Sequence, residues 1–385
     1  MSDSNGKPGT PRVALVTNVL AHYRVPCFRE LARALPGTFD LFLLAGDMPH
    51  RHYVLAGETS DLEVTVLPGR SWHRPPEDDV HWNDIRPLFR RRYDVVVLGG
   101  WSEPTYLLLW FSQFFRRGRL LFWVESTVAD YVRSGPKEWL KRFLLWPAAG
   151  CWVPGQGAGE YCRRLGMPEE RIFELPNATD RPYFVERAER HRSRRDELRA
   201  ELGLERITFL FVGRLVEAKK AVSTLLRAAA LLDRRELRST VLLAGEGPDR
   251  GVYEAQVVEE GPSDARFLGN LDHEKLCQYY AAADALVLPS YSEPWGFVLN
   301  EAMEFSLPLV VSDAVGARPD LVQDNGLVFP AGDVDALASC LEALMRDPGR
   351  RLEMGRASKR RIEDYSPEAW AQGALEAIRA VITRN

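Results

Sequence analysis

The sequence predicts an α/β protein built from two doubly wound domains, each a parallel sheet with helices on both faces. Three observations predict it. Short apolar runs bounded by turn residues alternate with helical patterns along the chain. The runs are continuous rather than alternating, which marks strands buried on both faces. The scheme occurs twice over 385 residues, a length that suits two or three domains at roughly 150 residues each.

In the first half the runs fall at residues 13–17, 39–45, 64–67, 95–98 and 120–124, with helical patterns at 25–35 and 139–146. The second half repeats the scheme at 207–212, 240–244, 285–288 and 309–312, with helices at 221–232, 272–282 and 296–305. Between the halves, residues 186–202 are rich in Arg and Glu with little apolar periodicity, and read as a solvated helix near a boundary. The expected division is residues 1–180, then 181–366, with a closing helix in 367–385 packing back toward the first domain.

Composition narrows the function. The chain is 45% apolar and 27% charged, ordinary for a globular protein, so collagen-like, disordered and disulfide-scaffold classes are excluded. Fifty basic residues face 54 acidic ones, and neither half carries the basic excess of a nucleic-acid binder. The five cysteines are scattered without a Cys-x-x-Cys pair, which fits buried thiols in a reducing compartment. No signal-peptide core and no bilayer-length apolar run occur. A cytoplasmic location is expected.

Ligands in such sheets bind outside the carboxyl ends of the strands. There, Pro289 to Met303 leads from a strand into a helix that begins near Gly296, so the amides of Trp295, Gly296 and Phe297 form an anion site. Glu293 lies before them and Glu301 inside the helix. A carboxylate beside a phosphate cradle suits the hydroxyls of a ribose or a sugar; the plainer reading is that both acids favour a helix N-terminus. Arg214 and Lys219 follow the first strand of the second domain and would hold a diphosphate, although lone basic residues there are commonly just solvated.

These residues resemble a family. Ser292-Glu-Pro-Trp-Gly-Phe-Val-Leu-Asn-Glu-Ala-Met303 is similar to the paired-glutamate signature of family 4 retaining glycosyltransferases, and Gly213-Arg-Leu-x-x-x-Lys219 to that family's diphosphate motif. Leu175-Pro-Asn-Ala-Thr-Asp180, Ala244-Gly-Glu-Gly-Pro248 and Val311-Ser-Asp-Ala-Val-Gly316 fit the same pattern in order. The resemblance implies a GT-B fold, two Rossmann-like domains facing across a cleft, with the acceptor on the first and a nucleotide sugar on the second. It implies Arg214 and Lys219 on the donor diphosphate, Glu301 on the ribose, Glu293 on the transferred sugar, and the Trp295, Gly296 and Phe297 amides near sugar and phosphate. Gly213 belongs to the diphosphate motif. Gly245 and Gly247 would let backbone approach the nucleotide, with the base near Asn270. Transfer would retain configuration without a metal or other cofactor, the cations and helix dipole stabilising the leaving group.

Three departures stand out. Where relatives carry a His after a first-domain strand, this chain reads Glu125-Ser126; the first loop carries His22 and Arg24 in place of Gly-Gly, facing the diphosphate or acceptor or capping the next helix. Ser306 replaces a common Gly. Acceptor choice falls to loops 46–60 and 69–81, the latter with Trp72, His73, His81 and Trp82.

Other signals are weaker. Asp333 and Asp335 mimic a metal-binding Asp-x-Asp but suit a helix cap. Gly245, Gly247 and Gly251 miss the dinucleotide spacing, and no HExxH or Gly-x-Ser-x-Gly occurs. Residues 110–117 and 139–146 mix aromatic bulk with cations, reading as core-facing helices with basic outer faces or as a membrane-surface patch. The expected function is a retaining glycosyltransferase using a UDP- or GDP-sugar and a glycan, lipid-linked or small-molecule acceptor in bacterial envelope or glycoconjugate synthesis. The rivals are a same-fold nucleotide-sugar epimerase or phosphorylase and a non-catalytic sugar-nucleotide-binding relative.

Overall fold

The computed structural model describes residues 9–46, 62–74, 78–113, 118–128 and 135–384. They divide into two compact units. The first takes in the described residues up to Val128, those of Arg133–Thr179 and those of Ser366–Asn385; the second is Asp180–Tyr365.

The strands of the first unit are β1 (Val13–Thr17), β2 (Phe39–Leu43), β3 (Val64–Val66), β4 (Gly69–Arg74), β5 (Asp78–Asn83), β6 (Val95–Leu98), β7 (Arg119–Trp123), β8 (Gly150–Val153) and β9 (Ile172–Glu174). Its helices so far are α1 (Val25–Ala34), α2 (Pro104–Gln113), α3 (Pro136–Leu145) and α4 (Gln156–Arg164). Seven strands form one parallel sheet in the order β3-β2-β1-β6-β7-β8-β9. Alternation of side chains splits the central strands between two cores. Val13, Leu15, Val95 and Val97 join the core against α1, whereas Ala14, Val16, Val96 and Leu98 join the one against α2 and α4. Both faces are covered, so each strand needs apolar residues throughout.

The second unit runs through α5 (Arg181–Arg192), α6 (Arg195–Glu201), β10 (Thr208–Val212), α7 (Glu217–Lys220), α8 (Val222–Arg234), β11 (Thr240–Ala244), α9 (Arg250–Glu260), β12 (Ala265–Gly269) and α10 (His273–Ala282). It continues through β13 (Ala285–Leu288), α11 (Phe297–Glu304), β14 (Leu309–Ser312), α12 (Arg318–Leu321), β15 (Gly326–Phe329), α13 (Val334–Arg346) and α14 (Pro348–Arg361). Its parallel sheet has the order β12-β11-β10-β13-β14-β15, the doubly wound Rossmann arrangement. The chain then returns to the first unit as α15 (Pro367–Thr383), which packs on α1 and buries Trp370 among Phe28, Trp123 and Trp152.

Several details differ from the sequence expectation. Strands β9, β12 and β15 carry no long apolar run because all three are sheet edges and only partly buried. The predicted helix at 186–202 is two, broken at Ser193-Arg194. Residues 69–81 form most of an antiparallel hairpin, β4 with β5, rather than a loop. Cys27, Cys151, Cys162 and Cys277 are buried free thiols and Cys340 is a half-buried one. Among the described residues no helix is long and apolar enough to cross a membrane.

Helix α3 is only partly core-facing. Leu144 and Leu145 are buried, but Trp139 is 70% exposed and Trp146, just past its end, 81% exposed. Leu140, Phe143 and, on α2, Leu107 and Phe111 are also exposed. Trp139 stacks on Phe143, which in turn meets Trp110.

Candidate active site

In the second unit β10 and β13 are neighbours although β11 and β12 separate them in sequence. The chain leaves them in opposite directions, which opens a crevice at their carboxyl ends. The segments flanking that point are residues 213–220 and 289–296. They are tied together by the Lys219 carbonyl, which accepts the amides of Tyr291 at 2.8 Å and Ser292 at 3.2 Å. The loop after β11 joins them: Gly213 donates its amide to the Ala244 carbonyl (3.0 Å) and Leu215 to that of Glu246 (2.9 Å). The loop after β14 closes the set, with the Gly316 amide on the Glu293 carbonyl at 2.7 Å.

Gly245 is at φ +137°, and a Cβ there would lie 2.0 Å from the Gly213 carbonyl oxygen; one on Gly247 would lie 2.2 Å from that of Leu215. These glycines permit a close approach to the backbone of Gly213 and Leu215, which sets the path of the loop after β10. Asn270 is exposed just beyond β12.

The charges converge. Lys220 forms an ion pair with Glu293, both side chains largely buried. Arg214 is exposed on the adjacent loop and Lys219 is half-buried. Lys220 is a residue the sequence reading missed; counting from Arg214 stops one position short of it. Nothing in the sequence separates the two adjacent lysines; the left-handed Ala221 that follows, at φ +48°, is visible only in the fold.

Gly296 caps α11 at φ +88°, where a Cβ would press on Leu288 and Glu293. The turn therefore needs glycine, and it aims the first amides of α11 outward from the strand end. Trp295 is buried and donates its indole N–H to Asn300 Oδ1 at 2.9 Å, which anchors this turn. One turn into α11, Glu301 is 7% exposed and accepts the Tyr280 hydroxyl at 2.7 Å. Burial pushes its carboxyl up to about 7, although the Tyr280 hydrogen bond pulls the other way. Tyr280 is raised well above its usual range, by burial first and by the Glu301 charge second, and stacks on Phe305.

The first unit assembles a second polar cluster. Arg24 is buried, donates from Nη1 to Asn177 Oδ1 at 2.7 Å, pairs with Glu125, and lies 4.3 Å from the Trp123 ring centroid. Arg24 is the N-cap residue of α1 but makes no capping bond with its side chain. His22 is half-buried with its ring edge-on to Tyr23, and Ser126 is half-buried beside the exposed Glu125. Asn177 lies within the segment Leu175–Asp180, and its bond to Arg24 spans 153 positions and leaves no local signal.

On the hairpin, register puts Trp72 and Trp82 on one face, both half-exposed. His81 turns to the other, buried, with its amide 2.7 Å from Glu103 Oε2. Loop 46–60 lies outside the described residues beyond 46, as does the side chain of His73. Asp333 caps α13, accepting the Ala336 amide at 2.9 Å. Among the described residues no cluster of three or more His, Cys, Asp or Glu could hold a metal ion.

Residues 194–361 match the model of a family described as glycosyl transferases group 1. The chain is 30% identical over 234 residues to the alpha-D-kanosaminyltransferase of Streptomyces kanamyceticus, a match covering 60% of this chain and 59% of that one. It is 32% identical over 362 residues to the D-inositol 3-phosphate glycosyltransferase of Streptomyces avermitilis, covering 90% of this chain and 66% of the other. It therefore spans less than two thirds of either relative. Among solved structures, Anabaena HepE in complex with UDP superposes with a TM-score of 0.75 at 17% identity, over 96% of this chain and 99% of that one. The chain has the GT-B fold, and its residues 194–361 match the family described as glycosyl transferases group 1.

Proposed function

We propose that the chain is a family 4 retaining glycosyltransferase that moves a sugar from a nucleoside-diphosphate donor to a hydroxyl acceptor without a metal. The observation that carries this reading is the convergence of Arg214, the Lys220–Glu293 pair and the α11 amides on the β10–β13 crevice. On this reading Arg214 and Lys220, with Lys219 beside them, grip the diphosphate. The α11 N-terminus faces the charge that grows on the departing phosphate. Glu293 takes hydroxyls of the transferred sugar and Glu301 those of the ribose. The anomeric carbon–phosphate oxygen bond breaks, a bond to the acceptor oxygen forms on the same face, and the acceptor proton passes to the leaving phosphate. Arg24, Glu125, Ser126 and His22 are the acceptor-side candidates, with Trp72 and Trp82 as an aromatic platform.

UDP is favoured over GDP because the solved structure of HepE carries UDP. Calorimetric titration of UDP and GDP into wild type and Glu301→Ala tests the donor site: UDP binds without added metal and the variant binds more weakly. Turnover of a labelled UDP-sugar to a glycoside of unchanged anomeric configuration separates transfer from epimerisation and from binding alone. Absence of binding to either nucleotide overturns the reading.

The exposed aromatic face of α2 and α3, flanked by exposed Lys137 and Arg142, supports peripheral contact with an anionic bilayer, as a lipid-linked envelope acceptor requires. Flotation with phosphatidylglycerol vesicles is expected for wild type and lost in Trp139→Ser/Trp146→Ser. Equal behaviour of the two proteins refutes it.

A further inference from the structure

The second unit holds a cavity of about 480 Å³ at the opposite edge of its sheet from the β10–β13 crevice. Asp284 and Pro308 lie in its wall, immediately before β13 and β14, so it opens at the amino ends of those strands. Its volume falls in the range of small-molecule sites.

Its lining is unusually cationic. Arg192, Arg195, Arg351, Arg356 and Lys359 face three carboxylates, Glu189, Asp284 and Glu304, a surplus of two positive charges. The carboxylates do not neutralise the set evenly. Arg195 is spent on Asp284 at 2.8 Å and Lys359 on the fully buried Glu304 at 2.6 Å, a carboxylate that also pairs with Arg181. Arg351 donates to the Leu344 carbonyl at the end of α13. The side chains of Arg192 and Arg356, on α5 and α14, are exposed and have no partner among the described residues. Two guanidinium forks on separate helices at one cavity suit a dianion that each can grip in bidentate fashion.

The rest of the wall is apolar. Phe305, Leu307 and Pro308 line it, with Leu352 at the exposed side. A bare phosphate would leave that surface unused, so the complementary ligand carries an apolar or ring-sized body. Between Phe305 and Leu307 stands Ser306, exposed and held at φ +59°. A side chain in that conformation costs about 1 kcal/mol or more against glycine. The Ser306 amide meets the Met303 carbonyl and the Leu307 amide that of Ala302, so this left-handed turn ends α11 and sets the Ser306 side chain in the cavity wall.

We propose that this cavity binds a phosphate monoester with an apolar or ring-sized body, gripped by Arg192 and Arg356 with Ser306 as a further hydrogen-bonding group. The proposal rests on the cavity alone and stands apart from the donor reading.

The probe is phenyl phosphate, titrated calorimetrically into the full chain. Binding at millimolar or lower concentration is expected, weakened about tenfold or more in Arg192→Ser/Arg356→Ser. It is expected to be unchanged in Arg214→Ala, which marks the donor crevice. Inorganic phosphate should bind more weakly than phenyl phosphate. Ser306→Gly should raise Tm yet weaken binding, a split that a purely structural serine would not give. No binding to wild type, binding that survives Arg192→Ser/Arg356→Ser, or binding lost in Arg214→Ala instead overturns the proposal.

Discussion

A single buried carboxyl, Glu301, makes the stability of the second unit depend on pH. Its folded-state value of about 7 lies above the ordinary 4.5, so the folded chain holds a proton there that the unfolded chain releases. Stability from this group therefore falls as pH rises from about 4.5 to 7, by roughly 3 kcal/mol in total. Glu301→Gln removes the penalty, so its Tm relative to wild type should climb between pH 5 and 8 in calorimetric melts. If the carboxylate receives ribose hydroxyls, UDP-glucose affinity should rise through pH 7 in wild type and stay flat in the variant. Lys220 tests the neighbouring charges. Removing it leaves Glu293 without its ion-pair partner, whereas Lys219 contributes its carbonyl through the backbone. Lys220→Ala should thus lower kcat/KM about 100-fold and Lys219→Ala much less, read by initial rates with a labelled donor. Glu293, Glu301, Trp295 and Gly296 could be singled out in the sequence because one strand–turn–helix unit carries all four. The Arg24–Glu125–Asn177 cluster could not, because its members lie 101 and 153 positions apart and meet only once the sheet has formed.

The elements themselves were readable in proportion to their burial. Central strands β1, β6, β13 and β14 are almost wholly buried, and a continuous apolar run announces them. Edge strands β9, β12 and β15 are half solvated, so polar residues are tolerated and periodicity fades. The hairpin β4–β5 escaped for another reason: its exposed Arg70, Trp72 and Trp82 look like residues of a loop until pairing sets them together on one face. The α7–α8 junction carries a local conflict. Ala221 is fully buried at φ +48°, where a Cβ costs about 1–2 kcal/mol. Ala221→Gly relieves that strain but adds about 0.4–1 kcal/mol of unfolded-state entropy. The net expectation is a small stabilisation of about 0.5 kcal/mol, measurable as a higher midpoint in urea with an unchanged slope.

The chain is not two beads in series. Among the described residues the second unit is a continuous stretch, while the first is completed only by α15, which sets Trp370 among Phe28, Trp123 and Trp152. Trp370→Ala should therefore cost the first unit about 3–5 kcal/mol. Near-UV circular dichroism, dominated by that aromatic cluster, should report an earlier unfolding transition. UDP binding by the second unit should persist beyond it.

The same return of the chain sets an order of events during synthesis. The last strand of the first sheet, β9, ends at Glu174, but the helix that covers α1 begins at Pro367. At roughly 5–20 residues per second, the ribosome takes about 10–40 s to make the intervening stretch. For that interval the apolar side of α1, with Phe28 and Leu31, stays open to solvent. The second unit can reach its native state first, and the half begun earliest is sealed last.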